Sequence, residues 1–225
     1  MLELIQPISK RDQVVKAMKQ AILSDAIHPG ASIVESKIAQ QLGAGVPLIR
    51  EALIELEHQG FVQRTPYKGT TVTKLSPTDV RRIFALRVEL EAVAIEWAKA
   101  HTTAADLEEL RQTIARMEAA AKIPDLTQFY DSDLAFHRKI WSLSDNPYLV
   151  DALERLVVPL FAFFVMKTSR QQKSYVESAS MHAEIVAALE EKSATELRQM
   201  FTEYLSKWKG DMVLLLFAED GSAQV

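Results

Sequence analysis

The stretch Glu35 to Thr73 reads ESKIAQQLGAGVPLIREALIELEHQGFVQRTPYKGTTVT, and its hydrophobic period changes once along its length. Glu35 to Leu42 fits a short helix with Ile38, Ala39 and Leu42 inward, closed by Gly43. After the turn Gly43 to Gly45, Pro47 suits a first helical position. Ile49, Ala52, Leu53 and Leu56 then mark the buried stripe of a helix ending near Gly60. From there the pattern is β-rich: Phe61 to Thr65 and Thr70 to Thr73, separated by Pro66-Tyr67-Lys68-Gly69, predict a hairpin. Upstream, Ser9 followed by Val14, Val15, Met18, Ile22 and Leu23 predicts an amphipathic helix ending near Ala26, before the turn His28-Pro29-Gly30. Helix, helix, turn, helix, hairpin is the order of a winged helix-turn-helix.

The rest of the chain is built differently. Five of the seven glycines fall within the first 69 residues, and residues 70 to 209 have none. Ser76-Pro77 reads as a linker, and helices are expected near 78–101, 104–122, 125–144, 147–168, 171–191 and 193–217, with a flexible tail at 219–225. The expected fold is therefore mainly α: a winged helix-turn-helix at 1–75 followed by an all-α helical bundle at 76–218.

Composition narrows the function. The chain has 225 residues, a net charge of −4 and no cysteine. That excludes disulfide scaffolds, thiolate metal sites and thiol nucleophiles, so any metal would rest on His, Asp or Glu. Residues 1–75 hold 9 Lys+Arg against 7 Asp+Glu, and residues 76–225 hold 17 against 23. A small basic module thus precedes a larger acidic one. Met1-Leu2-Glu3 opens no signal peptide and no window approaches the ~20 apolar residues of a bilayer crossing, so a cytoplasmic protein is expected.

Polar residues on apolar helix faces point to chemistry, because a buried polar group needs a partner. Arg87 lies on the stripe Ile83, Arg87, Leu90, Ala94. Asp133 and His137 share one side of a helix with Phe129, Phe136 and Ile140. His182 sits with Met181, Ile185, Val186 and Leu189, and Tyr204 with Phe201, Leu205 and Trp208. If these faces line one interior, Asp133, His137 and His182 can coordinate a divalent cation while Arg87 forks onto a carboxylate. The plainer alternative pairs Arg87 with Glu91 or Asp133 and bonds the histidines to backbone carbonyls. In the first module, Arg50 could reach phosphate or a base edge and Lys68-Gly69 could enter a minor groove. The plain reading of Arg50 is a surface pair with Glu51 or Glu55. Phe161, Phe163, Phe164 and Met166 could form a larger apolar pocket or simply core.

The string Pro29-Gly30, Val34-Glu35, Ile38-Ala39, Leu42-Gly43, Arg50-Glu51-Ala52-Leu53, Leu56-Glu57, Gly60-Phe61-Val62, Gly69 and Val72 resembles the GntR family of bacterial transcription factors. Residues 78–218 resemble the FCD effector domain of its FadR-type subfamily. They do so through Arg87, Leu90-Glu91, Asp133 to His137, Asn146 to Leu149, His182, Ile185 and Ala188-Leu189. The resemblance implies a regulator, not an enzyme: a homodimeric repressor of a palindromic operator that answers to a small organic acid. It places DNA contacts at Ser36, Gly45, Val46, Arg50, Lys68 and Gly69, and effector contacts at Arg87 and Tyr204. It also implies a divalent metal such as zinc, nickel or manganese on an Asp and three His. Asp133, His137 and His182 match three of those ligands, and the fourth position is Tyr204. The site would then be an Asp-His-His triad completed by water or effector oxygens. Without metal, Tyr204 and Arg87 would hydrogen-bond the effector directly. The start of the recognition helix also departs from the family's polar pattern, reading Gly45-Val46-Pro47-Leu48. Two rival readings stay open on the residues: a metal-dependent enzyme using the triad, and an interaction protein with decayed DNA contacts.

Overall fold

The computed structural model describes residues 9–123, 125–169 and 172–217, without the side chains of 172–174, 208–212 and 214. The chain divides into two compact units, one ending at Lys74 and the other beginning at Leu75. The tail at 219–225 and the Trp208 side chain lie outside the described residues.

The first unit contains α1 (Lys10–Leu23), β1 (Ser32–Ile33), α2 (Glu35–Leu42), α3 (Val46–His58), β2 (Val62–Thr65) and β3 (Gly69–Val72). Ser9 starts α1 by accepting the Asp12 amide at 3.1 Å, satisfying one of the helix's otherwise orphaned N–H groups. The helix stops at Leu23, short of the expected Ala26, because the chain turns out of helical geometry at Asp25, whose φ is 63°. Gly43 closes α2 in the left-handed region at φ 61°, where a Cβ is disfavoured. Gly45 is the residue before α3 and Val46 its first member, so Pro47 stands second rather than first. Its missing N–H costs nothing in that turn. Ile49, Ala52, Leu53 and Leu56 are wholly buried, with α1 and α2 packed against α3.

The wing is a three-stranded antiparallel sheet in the order β1-β3-β2. β2 and β3 pair from Val62 opposite Val72 to Thr65 opposite Gly69. β1 was not expected from the sequence: two residues, opposite Thr70 and Thr71, offer no alternation to read. Phe61, Val62 and Val72 are buried and seal the sheet onto the helices.

The second unit, among the described residues, is helical: α4 (Pro77–His101), α5 (Ala104–Lys122), α6 (Leu126–Leu143), α7 (Pro147–Lys167), α8 (Gln172–Glu191) and α9 (Ala194–Phe217). Side-chain caps set several starts. Ser76 with Asp79 and Thr103 with Asp106 form reciprocal capping boxes, and Asn146 accepts two amides at the head of α7. These groups satisfy helix N–H donors that would otherwise lack partners. α6 packs against α4, α5 and α7, α4 also meets α7 and α9, and α5 meets α8. Among the described residues no helix is long and apolar enough to cross a membrane.

Candidate functional site

Six polar residues that cluster in the second unit come from four helices. α4 supplies Arg87 and Glu91, one turn apart. α6 supplies Asp133 and His137, also one turn apart, α8 supplies His182 and α9 supplies Tyr204. The 3.6-residue period explains both pairs, since residues four apart stack on one face.

Glu91 is the hub. Only 1% exposed, its carboxylate accepts Arg87 Nε at 2.6 Å and Trp141 Nε1 at 3.0 Å, and faces His137 Nδ1 at 3.3 Å. Burial pushes its pKa upward, but the Arg87 charge and the His137 contact outweigh that and hold it at about 2. Glu91 is thus ionised and anchors both a guanidinium and an imidazole. The sequence offered it only as a plain partner for Arg87. Its second role depends on α6 crossing α4, which no local spacing reveals.

The tautomers of the two histidines follow from their anchors. His182 Nδ1 lies 2.7 Å from the Ser178 carbonyl oxygen, and a carbonyl can only accept, so Nδ1 carries a proton. His137 Nδ1 faces the Glu91 carboxylate and carries one for the same reason. With Nδ1 held on its anchor, each ring points Nε2 away from it. The two Nε2 atoms face each other at 3.4 Å, and Asp133 Oδ1 lies 3.1 Å from that of His182 and 4.0 Å from that of His137. Burial pushes the Asp133 carboxyl up, yet the His182 bond and the neighbouring charges bring it below its ordinary range. Three electron-rich atoms, all within 4.8 Å of one another, converge on one point. A divalent ion would supply positive charge there. Nδ1 groups held by a carboxylate and a carbonyl are the usual outer support of metal-bound imidazole, so the donor set fits a divalent ion.

These atoms open onto a cavity of about 60 Å³, walled otherwise by Phe84, Leu160, Phe161, Phe164, Met181, Leu205 and Tyr204. Arg87 is gripped between Phe84 and Phe161, its guanidinium carbon 5.3 and 4.6 Å from the ring centroids, a favourable cation–π placement. Glu91 takes Nε, and among the described residues neither terminal nitrogen of Arg87 has a partner. Among the described residues the Tyr204 hydroxyl meets only the Met181 sulfur, at 3.7 Å. Burial pushes its phenol pKa up, so it stays an O–H donor. Phe161 and Phe164 line the cavity, whereas Phe163 packs near Phe217 and Met166 is buried in the core. Of these four residues, only Phe161 and Phe164 line this cavity. The plain reading was correct in part: Arg87 does pair with Glu91 and His182 does bond a carbonyl, and both contacts help to build the cluster.

In the first unit, Ser36 is exposed near the start of α2, Gly45 is exposed, and Val46 is half-buried at the head of α3. Arg50 projects from α3 and pairs with Glu35 of α2 at 2.6 Å, not with Glu51 or Glu55. The pair ties the two helices of the helix-turn-helix together. Lys68 and Gly69 are exposed at the hairpin tip.

A winged helix-turn-helix followed by an all-α unit is the build of a DNA-binding transcriptional regulator. Comparison with known proteins agrees. The profile of the bacterial regulatory proteins of the gntR family matches residues 10–72, and that of the FCD domain matches residues 82–207. The chain belongs to the GntR family and carries an FCD domain. The HTH-type transcriptional regulator McbR of Escherichia coli K12 is 29% identical over 146 residues, covering 65% of this chain and 66% of that protein. The HTH-type transcriptional repressor RspR of the same organism is 23% identical over 206 residues, covering 90% and 87%. Among solved structures, E. coli McbR/YncC aligns with a TM-score of 0.68 at 24% identity, covering 92% of this chain and 98% of that one. The family and these relatives are transcriptional regulators, which sets the enzyme reading aside.

Proposed function

We propose that this protein is a homodimeric repressor that binds a palindromic operator and senses a small carboxylate held beside a divalent metal. The observation that carries the reading is the convergence of the Asp133, His137 and His182 donor atoms next to the unpartnered end of Arg87, in one small cavity. Asp133, His137 and His182 would hold the ion, which would supply a Lewis-acidic anchor for an effector oxygen. Arg87 forks onto the carboxylate and Tyr204 donates to a second effector oxygen, while the aromatic wall excludes bulky acids. The metal class is zinc, nickel or manganese, and the three-donor set leaves positions open for oxygen ligands.

On the DNA side, Ser36, Gly45, Val46 and Arg50 face the major groove, and Lys68 with Gly69 the minor groove. An apolar stripe on α4 favours a dimer: Leu86, Leu90, Val93 and Trp97 share a face, with Leu86 54% and Trp97 43% exposed. Exposed apolar stripes of this kind mark association surfaces. The name of one relative, a repressor, supports the sign of regulation. Effector binding shifts the dimer between DNA-competent and incompetent states, with coupling of about 1–3 kcal/mol, or roughly 5–150-fold in affinity.

The test is DNA binding by the full-length protein on a duplex that it selects from a randomised library, with and without metal and a panel of small mono-, hydroxy- and dicarboxylates. At least one acid should lower affinity about fivefold or more, and Arg87→Ala should abolish that response without abolishing DNA binding. A metal-saturated protein whose DNA affinity no carboxylate changes overturns the proposal.

A further inference from the structure

The tip of the wing carries a side chain that its backbone does not favour. Lys68 N–H donates to the Thr65 carbonyl at 3.0 Å, closing a β-turn with Pro66 and Tyr67 at its centre. Proline fixes φ negative at the first central position, and Tyr67 has φ 64° at the second. These are the signs of a type II turn, whose second central residue is normally Gly or Asn. A bulky residue in the left-handed region is an outlier, and such conformations concentrate where a ligand is met. Tyr67 is also completely exposed, at 107% of its reference area.

The surroundings say which ligand. Residues 61–77 contain Arg64, Lys68 and Lys74 and no Asp or Glu. Arg64 is engaged by Glu57. Lys68, next to Tyr67, makes no ion pair among the described residues. An aromatic ring held out beside a free cation, on a turn only three residues wide, matches a narrow, negatively charged groove.

We propose that Tyr67 is a DNA contact that inserts its ring into the minor groove beside each recognition helix and selects A·T over G·C there. The ring packs against the groove wall with its hydroxyl toward the adenine N3 and thymine O2 acceptors, while the guanine 2-amino group occupies the space the ring needs. Lys68 enters the groove beside the ring, its ammonium drawn by the negative potential there. The inference rests on the DNA-binding reading of the winged helix and adds a sequence preference to it.

The experiment is a double-mutant cycle in the full-length protein. The probe is the duplex that the wild-type protein selects from a randomised library, and the base pairs facing the wing are changed from A·T to G·C. Wild type should lose about 5- to 50-fold in affinity on the G·C duplex, the range of one or two lost base contacts. Tyr67→Gly should bind the A·T duplex about tenfold more weakly, discriminate less than about twofold, and unfold at an unchanged or higher temperature, because glycine relieves the turn. Additive effects of protein and DNA changes would overturn the proposal, as would affinity and unfolding temperature falling together. Failure of the wild-type protein to select any sequence would overturn the DNA-binding reading and this inference with it.

Discussion

Replacing Glu91 by Gln removes one charge from the centre of the second unit and nearly no volume. Glu91 accepts from Arg87 and Trp141 and faces His137, whereas an amide has one oxygen and turns its NH₂ toward a group that can only donate. Arg87 is left buried without a counter-ion. A carboxyl held at about 2, rather than the roughly 4.3 of an unperturbed Glu, corresponds to about 3 kcal/mol of native-state stabilisation. Removing one partner of a buried ion pair costs a similar amount, about 3–5 kcal/mol. The sign follows from the depressed pKa: the contribution is complete above the unfolded value and lost as pH falls toward 2. Denaturant unfolding of chelator-treated protein should show Glu91→Gln about 3 kcal/mol less stable near neutral pH, with the gap narrowing below about pH 4. By thermal unfolding the deficit should be roughly 6–12 °C. Equal stability at neutral pH, or a gap that does not change under acid, would refute the assignment of Glu91 as an ionised hub.

Glu91→Gln loosens the anchor of the His137 imidazole and should weaken metal affinity about 10- to 100-fold by calorimetric titration. Tyr204→Phe should weaken effector binding about 5- to 10-fold, as one hydrogen bond would, with unchanged metal content by elemental analysis. Tyr204→His should instead tighten metal binding by adding a fourth nitrogen donor. Arg50→Ala should weaken operator binding and reduce its salt dependence by about one counter-ion, read from anisotropy titrations across ionic strength.

Much of the fold was legible because its boundaries are chemical. Ser76, Thr103 and Asn146 cap helices through their own side chains, and the expected and observed spans of the second unit agree to one residue at each end. β1 escaped because its two residues become a strand only by pairing with β3. The candidate site was legible as a set of polar residues on apolar faces, and Arg87, Asp133, His137, His182 and Tyr204 do line one cavity. What the sequence withheld was connection across helices. Glu91 orients His137 from 46 residues away and Glu35 holds Arg50 from 15 residues away, and neither separation follows a helical period. Nor does sequence show that Tyr204 faces a sulfur rather than an oxygen, which leaves its hydroxyl available to a ligand.

In the proposed regulator Asp133, His137 and His182 hold a divalent ion in each chain of a dimer. Native mass spectrometry of the full-length protein, loaded with metal and then desalted, tests it directly. The expected species is a dimer carrying one ion per chain, lost on chelation and absent from the Asp133→Asn, His182→Ala double variant. A protein that retains no metal after loading, or a double variant that retains as much as wild type, would contradict it.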